Sequence, residues 1–311
     1  MREKYYTLAI LLGAGILLVA GHGLVRESTT FTLGLTFAGT TAAGILGIAF
    51  YRVQLELRAS RQELAMKQAE LNFALEVQQA LFPREFPSGY GLEFRGVCVP
   101  ARGISGDYYD VIPLRDGRLA ISIADISGKG ISAAILMSNL HAVLRTLAAS
   151  RCTPAEVAAR LNQHLYQVTQ GARFATIFYA EWDRAGRQLC YINAGHNAPI
   201  LVGAHGVHRL AARTPPLGIF PNSQFEVDHA PMAPGDLLVL FSDGVTEAGV
   251  SQGREFGDEQ LAHLVPAHAA KPLAEIQDRI LGAVENWADK DLEDDMTLLL
   301  VRALDAGKEE L

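Results

Sequence analysis

Cysteine is scarce in this chain. Its 311 residues hold three, Cys98, Cys152 and Cys190, and none is spaced as CxxC or CxxxC. That excludes a cysteine zinc site and a disulfide framework, and the odd count fits a reducing compartment. Basic charge is also short. Twenty-seven Lys and Arg against 34 Asp and Glu leave a formal net charge of −7, the opposite of the basic surface that nucleic acid requires. Only 20% of residues are charged while 49% are hydrophobic, so the chain is not a disordered one. A nucleotide-binding P-loop is missing too: Gly128-Lys129-Gly130 lacks the GxxxxGK[ST] spacing. No Ser-His or Cys-His arrangement suggests a protein nucleophile.

What the chain has is uneven hydrophobicity. Tyr5 to Val25 and Ser28 to Tyr51 contain no Asp, Glu, Lys or Arg, and each run reaches the ~20 residues that cross a bilayer core as a helix. Only a short polar break around His22, Arg26 and Glu27 separates them. The pattern predicts a transmembrane hairpin over residues 1–51, with helices at about 5–25 and 29–51. Arg2 and Lys4 precede it and Arg52, Arg58, Arg61 and Lys67 follow, so the positive-inside rule places both ends in the cytoplasm, in a two-pass inner-membrane protein. A cleaved signal peptide is the alternative, but the first run exceeds the usual ~7–15-residue apolar core of a signal, and a second run follows directly. Gly34, Ala38, Gly39, Ala43, Gly44 and Gly47 favour close helix packing, within the hairpin or between subunits.

Residues 52–86 read as a helical linker. From Arg52 to about Leu81 there is no Gly or Pro, and Leu57, Leu64 and Leu71 recur every seventh residue. The alternate seam positions Ser60, Lys67 and Gln68 are polar. Two readings stay open: a marginal coiled coil, or an amphipathic helix lying on its own domain. Pro83 and Pro87 end the segment.

Beyond Tyr90 the pattern changes to short strands, at Leu92–Val99, Leu119–Ala124, Ala175–Trp182, Gln188–Asn193, Pro199–Val202, Leu237–Phe241 and Thr297–Arg302. Helices are predicted at Ser132–Ala149, Pro154–Thr169 and Pro272–Asp289. Strands in sequence, without regular alternation with helices, imply antiparallel sheets with helices outside. Four acidic stations punctuate this region: Gly106-Asp107-Tyr108-Tyr109-Asp110, Ala124-Asp125-Ile126-Ser127-Gly128-Lys129-Gly130, Ser242-Asp243-Gly244 and Asp294-Asp295-Met296-Thr297. Most abut apolar strands, and a carboxylate at the end of a buried strand is costly unless something pairs with it. Several converging there point to hard divalent cations with oxygen ligands.

In this order, GDYYD, ADISGKG, AGHN, FSDGVTEA and DDMTLLLV resemble the SpoIIE/RsbU branch of the PPM-type metal-dependent protein serine/threonine phosphatases, from about Leu75 to Arg302. Glu76-Val77-Gln78-Gln79-Ala80-Leu81-Phe82-Pro83 resembles the helix that enters that domain. The resemblance implies an α+β fold, an α-β-β-α sandwich of two antiparallel sheets, over residues 87–305, with 306–311 a tail. It implies that Asp125 bridges two Mn²⁺ or Mg²⁺ ions, that the carbonyl of Ile126 adds a ligand, and that Asp107, Asp243 and Asp294 complete the shell. Asp295 is a less certain ligand. Asp110 is either holder of a metal-bound water or a surface or turn carboxylate. Lys129 attracts phosphate or is a solvated turn lysine, and His196 is read as stabilising a turn.

The activity so implied is hydrolysis of phosphoserine or phosphothreonine by metal-activated water, with Asp125 and Asp243 as its core. The substrate would be a phosphorylated regulatory protein such as an anti-sigma-factor antagonist. Control through a homodimer is implied, with the hairpin and linker acting on the turn at Gly128. The rival is a catalytically silent scaffold that keeps the fold and signals by binding. Phosphate capture and leaving-group protonation have no assigned residue.

Overall fold

The computed structural model describes residues 13, 15–16, 29–101, 103–289 and 292–305. The first apolar run, at about 5–25, therefore falls almost wholly outside the described residues, as does the 306–311 tail. Contacts divide the chain into two units, Met1–Glu70 and Leu71–Leu311.

Helix α1 runs unbroken from Thr29 to Gln79, so the second apolar run and the linker form one helix with no joint at residue 51. Its apolar N-terminal part is long enough to span a membrane. Gly34, Gly44 and Gly47 have open space where a Cβ would stand, and Leu57 and Leu64 are exposed. The helix stops before Pro83, whose ring could not continue it, with the Leu81 N–H closing back on the Gln78 carbonyl.

Among the described residues, ten strands make two antiparallel five-stranded sheets. One has the order β2 (Tyr108–Pro113), β3 (Leu119–Ile126), β4 (Ala175–Asp183), β5 (Gln188–Ala194), β8 (Asp228–Pro231). The other has the order β1 (Leu92–Val99), β10 (Met296–Ala303), β9 (Leu237–Phe241), β6 (Ile200–Gly203), β7 (Gly206–Arg209). Alternation along each strand divides its side chains between two cores. On β3, Leu119, Ile121 and Ile123 enter the core between the sheets, while Ala120, Ala124 and Ile126 meet helices α2 (Ile131–Ala148) and α3 (Pro154–Thr169). On β10, Leu299 and Val301 face inward, and Leu298 and Leu300 meet helices α5 (Gly257–His268) and α6 (Leu273–Trp287). A one-turn helix, α4 (Asp243–Thr246), follows β9. The result is the four-layer α-β-β-α sandwich, in which strands apolar on both faces are buried from both sides.

Strand β2, helix α5 and the short strands β7 and β8 are additions to the sequence reading. Strand β2 is hidden in the sequence by Asp110 at its middle. That carboxylate is fully buried, so it is neither a surface group nor a turn residue.

Candidate active site

The acidic stations meet because antiparallel pairing joins strand ends within each sheet and the stacking of the two sheets brings the joined ends together. Tyr108 pairs with Ala124, which sets Asp107 at the start of β2 beside Asp125 near the end of β3. Leu298 pairs with Phe241, which sets Asp243 after β9 beside Asp294 and Asp295 before β10. Electrostatics reports the same convergence. Asp125 is pushed up to about 7, first by burial and then by the charges of Asp243, Asp294 and Asp295. Asp243 is pushed up to about 6 by burial, then by Glu247 and Asp294. Asp107 is raised well above the carboxylate range by burial and by Asp125.

Each carboxylate has a distinct setting. Asp107 is 2% exposed, and its Oδ2 is buried without a hydrogen-bond partner. Its backbone N–H donates to Ser105 Oγ at 2.9 Å. The hydroxyls of Thr297 and Ser242 lie close enough to pull its pKa down. Ser242 Oγ, however, donates to the Asp295 carbonyl at 3.1 Å and accepts the Thr297 N–H at 2.9 Å. Asp294 accepts the Asp295 N–H at 2.9 Å and holds Lys129 Nζ at 2.6 Å. Lys129, itself half-exposed, also donates to the Glu293 carbonyl at 3.0 Å, so its ammonium is already paired within the chain. Asp295 spends both oxygens on backbone, accepting the N–H groups of Ala101 and Gly106 at 2.9 Å each; it fastens the loop that carries Asp107.

The donor set fits divalent cations. Buried like charges that push one another toward protonation are relieved by a cation, and an orphaned carboxylate oxygen such as Asp107 Oδ2 suits a hard ion. A Cβ placed on Gly106 would lie 3.2 Å from the Ile126 carbonyl oxygen and 3.6 Å from Asp125 Oδ1, so these two donors face one point and only glycine leaves it clear. The carboxylates are gathered but not closed into a cage. Among the described residues, no three His, Cys, Asp or Glu side chains stand ready around a common point.

Two neighbouring groups lie outside the metal set. Asp110 accepts from Arg145, from the Tyr108 hydroxyl and from the Val111 N–H. His196 is buried, with Nδ1 2.8 Å from Thr176 Oγ1 and its N–H on Asn193 Oδ1 at 2.9 Å, which makes it a strut under the loop.

Sequence reasoning missed two polar residues here. Arg173 donates through Nη1 to the Ser127 carbonyl at 3.0 Å and lies against Gly128; nothing in its local sequence marks it. Gln78 is buried at 4% exposure against Ser105. It had a signal, since it follows Leu71 and Leu75 at helical spacing, and a glutamine on an apolar face needs a partner.

A family model described as Stage II sporulation protein E (SpoIIE) matches residues 115–304. Phosphoserine phosphatase RsbU of Bacillus subtilis is 31% identical over 254 residues, covering 81% of this chain and 74% of that protein. Protein IcfG of Synechocystis sp. is 28% identical over 347 residues, covering 95% of this chain and 54% of that protein, so this chain spans about half of IcfG. Among solved structures, the SiaA-PP2C domain of Pseudomonas aeruginosa is similar in fold, with a TM-score of 0.68 at 22% identity, over 77% of this chain and 98% of that one.

Proposed function

This chain belongs to the SpoIIE family and carries a PPM-type phosphatase domain, and from that premise we propose that it removes phosphate from phosphoserine or phosphothreonine on a regulatory protein. The observation that carries the reading is the group formed by buried Asp107 with half-buried Asp125 and Asp243, each raised by burial and by neighbouring carboxylates. We assign Asp125 as the bridging ligand of two Mn²⁺ or Mg²⁺ ions, with the Ile126 carbonyl, Asp107, Asp243 and Asp294 completing their shell. When bound, the ions supply a water of lowered pKa and neutralise charge on the phosphoryl oxygens.

The chain's own residues shape that site. Asp295 and Ser105 fix the backbone of Gly106 and Asp107. Arg173 holds the Ser127 carbonyl, which stiffens the turn after Asp125 and Ile126. Cys98 is not a competing nucleophile: its thiol is pushed up to about 12 by burial and by Asp107, so it is not a thiolate at neutral pH.

The apolar N-terminal run of α1 supports membrane attachment; we place the chain there as a two-pass hairpin with the phosphatase domain in the cytoplasm. Exposed Leu57 and Leu64 support pairing with a second copy. The substrate we favour is a phosphorylated anti-sigma-factor antagonist, with control passing through the hairpin and linker.

A second reading, the silent scaffold, is favoured by one observation: Lys129 already neutralises Asp294. One experiment separates the two. The full chain is assayed on a phosphoserine peptide with Mn²⁺ and with EDTA, beside Asp125→Ala and Asp243→Ala. Metal-dependent hydrolysis lost in both variants supports the phosphatase. Absence of hydrolysis by the native chain in Mn²⁺ overturns it in favour of the scaffold.

A further inference from the structure

The last turn of α1 is hydrogen-bonded to the loop that carries Asp107. Gln78 Nε2 donates to the Ser105 carbonyl at 2.7 Å, and Gln78 Oε1 accepts the Ser105 N–H at 2.8 Å. One side-chain amide therefore satisfies both polar groups of a single peptide position, as a neighbouring strand would. Both residues are buried, Gln78 at 4% and Ser105 at 0% exposure. Neither polar group of Ser105 has water to fall back on if the amide leaves.

The contact continues inward. Ser105 Oγ accepts the Asp107 N–H at 2.9 Å, and the Gly106 N–H between them is held by Asp295 Oδ2 at 2.9 Å. Three consecutive backbone positions are thus fixed, one of them by a residue that belongs to the entering helix. The helix end is itself anchored. Leu81 and Phe82 pack into the cores of the sandwich, and the Phe82 ring lies 5.0 Å from that of Tyr109, two residues beyond Asp107. A rotation of the last turn of α1 that withdraws Gln78 leaves Asp107 held from one side only.

We propose that Gln78 is a positioning residue that sets the Asp107 carboxylate for cation binding, so that the docking of the last turn of α1 tunes metal affinity through one side-chain amide. This rests on the reading in which Asp107 holds a divalent cation. It differs from control through the turn at Gly128, because the bonds run to Ser105 instead.

The test is a titration of the full chain in detergent with Mn²⁺, free ion being followed by its EPR signal, which requires no catalysis. Gln78→Met keeps the length and the packing but removes both hydrogen bonds. Removing the support of a ligand typically costs about 10–100-fold in affinity, and we expect Gln78→Met to weaken Mn²⁺ binding at least about tenfold on that scale. We expect kcat for a phosphoserine peptide at saturating Mn²⁺ to change far less. Ser105→Ala, which removes the acceptor of the Asp107 N–H, should reproduce the shift. It also serves as the second variant should Gln78→Met fail to fold. Gln79→Ala, exposed and one residue away, should bind as the native chain does.

Mn²⁺ affinity within about twofold of native in Gln78→Met, against the tenfold expected of a ligand's support, overturns the proposal, even if thermal stability falls. A purely structural glutamine would give that pattern. Failure of the native chain to bind Mn²⁺ at all sinks the metal-site reading itself, and the proposal with it, so the two failures are told apart by the native titration.

Discussion

Arg145 grips Asp110 with both branches of its guanidinium, Nε to Oδ2 at 2.7 Å and Nη2 to Oδ1 at 2.9 Å. The pair ties the last turn of α2 to the middle of β2, while the first turn of α2 emerges from the Gly128–Gly130 turn and β2 begins beside Asp107. Asp110 is fully buried and Arg145 about half exposed, so the pair is asymmetric: loss of the arginine leaves a charge inside. Arg145→Met should therefore destabilise the domain by about 2 kcal/mol or more, because an uncompensated buried charge costs more than its pair contributes. Adding Asp110→Asn should recover much of that loss. Urea unfolding of the two single variants and the double variant measures it. Additive losses would show that the pair is not coupled.

Gly128 has φ of +101°, and a Cβ there would clash with Arg173 Nη1. The flexible tip of the arginine can give way, but only by leaving the Ser127 carbonyl, two residues beyond Asp125. Gly128→Ala should lower phosphatase activity about tenfold while costing about 1–2 kcal/mol of stability, the usual cost of left-handed backbone for an L-residue. Combining it with Arg173→Ala removes the clash but not the backbone strain, so stability should return only in part. Steady-state kinetics with thermal melts of the three variants test both halves.

How far the sequence discloses this site follows from where its information is local. Asp125 lies near the end of a largely apolar strand and Asp243 two residues after a fully apolar one, and that juxtaposition is visible in a one-dimensional string. Strand β2 is not, because the alternation that marks a strand is interrupted by Asp110, whose partner Arg145 lies 35 residues away. Lys129, glycine-flanked in the sequence, is a turn lysine whose partner Asp294 is brought to it only by the stacking of one sheet on the other. Gln78 belongs to the same class, since its partner Ser105 is 27 residues distant. Local patterning thus points to antiparallel sheets with helices outside and the family resemblance to the four-layer sandwich, whereas the polar contacts that fix the site join residues far apart in the sequence.

Asp107 is costly to the protein without metal. Its carboxylate is buried, its Oδ2 has no partner, and Asp125 raises it further. Its folded-state pKa is raised, so the folded chain binds the proton more tightly than the unfolded one. Stability in chelator therefore falls as pH rises from the ordinary carboxylate range. Asp107→Asn should raise stability at pH 7 in EDTA by about 1–2 kcal/mol while abolishing metal-dependent hydrolysis, the usual exchange of activity for stability at a strained site. Differential scanning fluorimetry with and without Mn²⁺ should show the variant gaining in EDTA and losing the stabilisation by Mn²⁺ that the native chain shows. A variant less stable than native in EDTA would count against it.

His196 sets a pH dependence of the opposite sign. Burial pulls its pKa from 6.5 down to about 4, and its Nε2 is buried without a partner. In the unfolded chain the imidazole takes up a proton near its ordinary value of about 6.5, whereas in the fold it stays neutral until about pH 4. Between those values the unfolded state holds more protons, so stability is full above about pH 6.5 and is lost as pH falls through about 4. The loss from this one group is on the order of 3 kcal/mol at most. His196→Gln removes the titration and keeps a polar group toward Thr176, so its stability should be lower than native at pH 7 but flatter between pH 6.5 and 4. Urea unfolding at a series of pH values in that window measures the two slopes. An NMR titration in which the His196 ring protonates above about pH 6, near its unfolded value, would remove the basis for the difference.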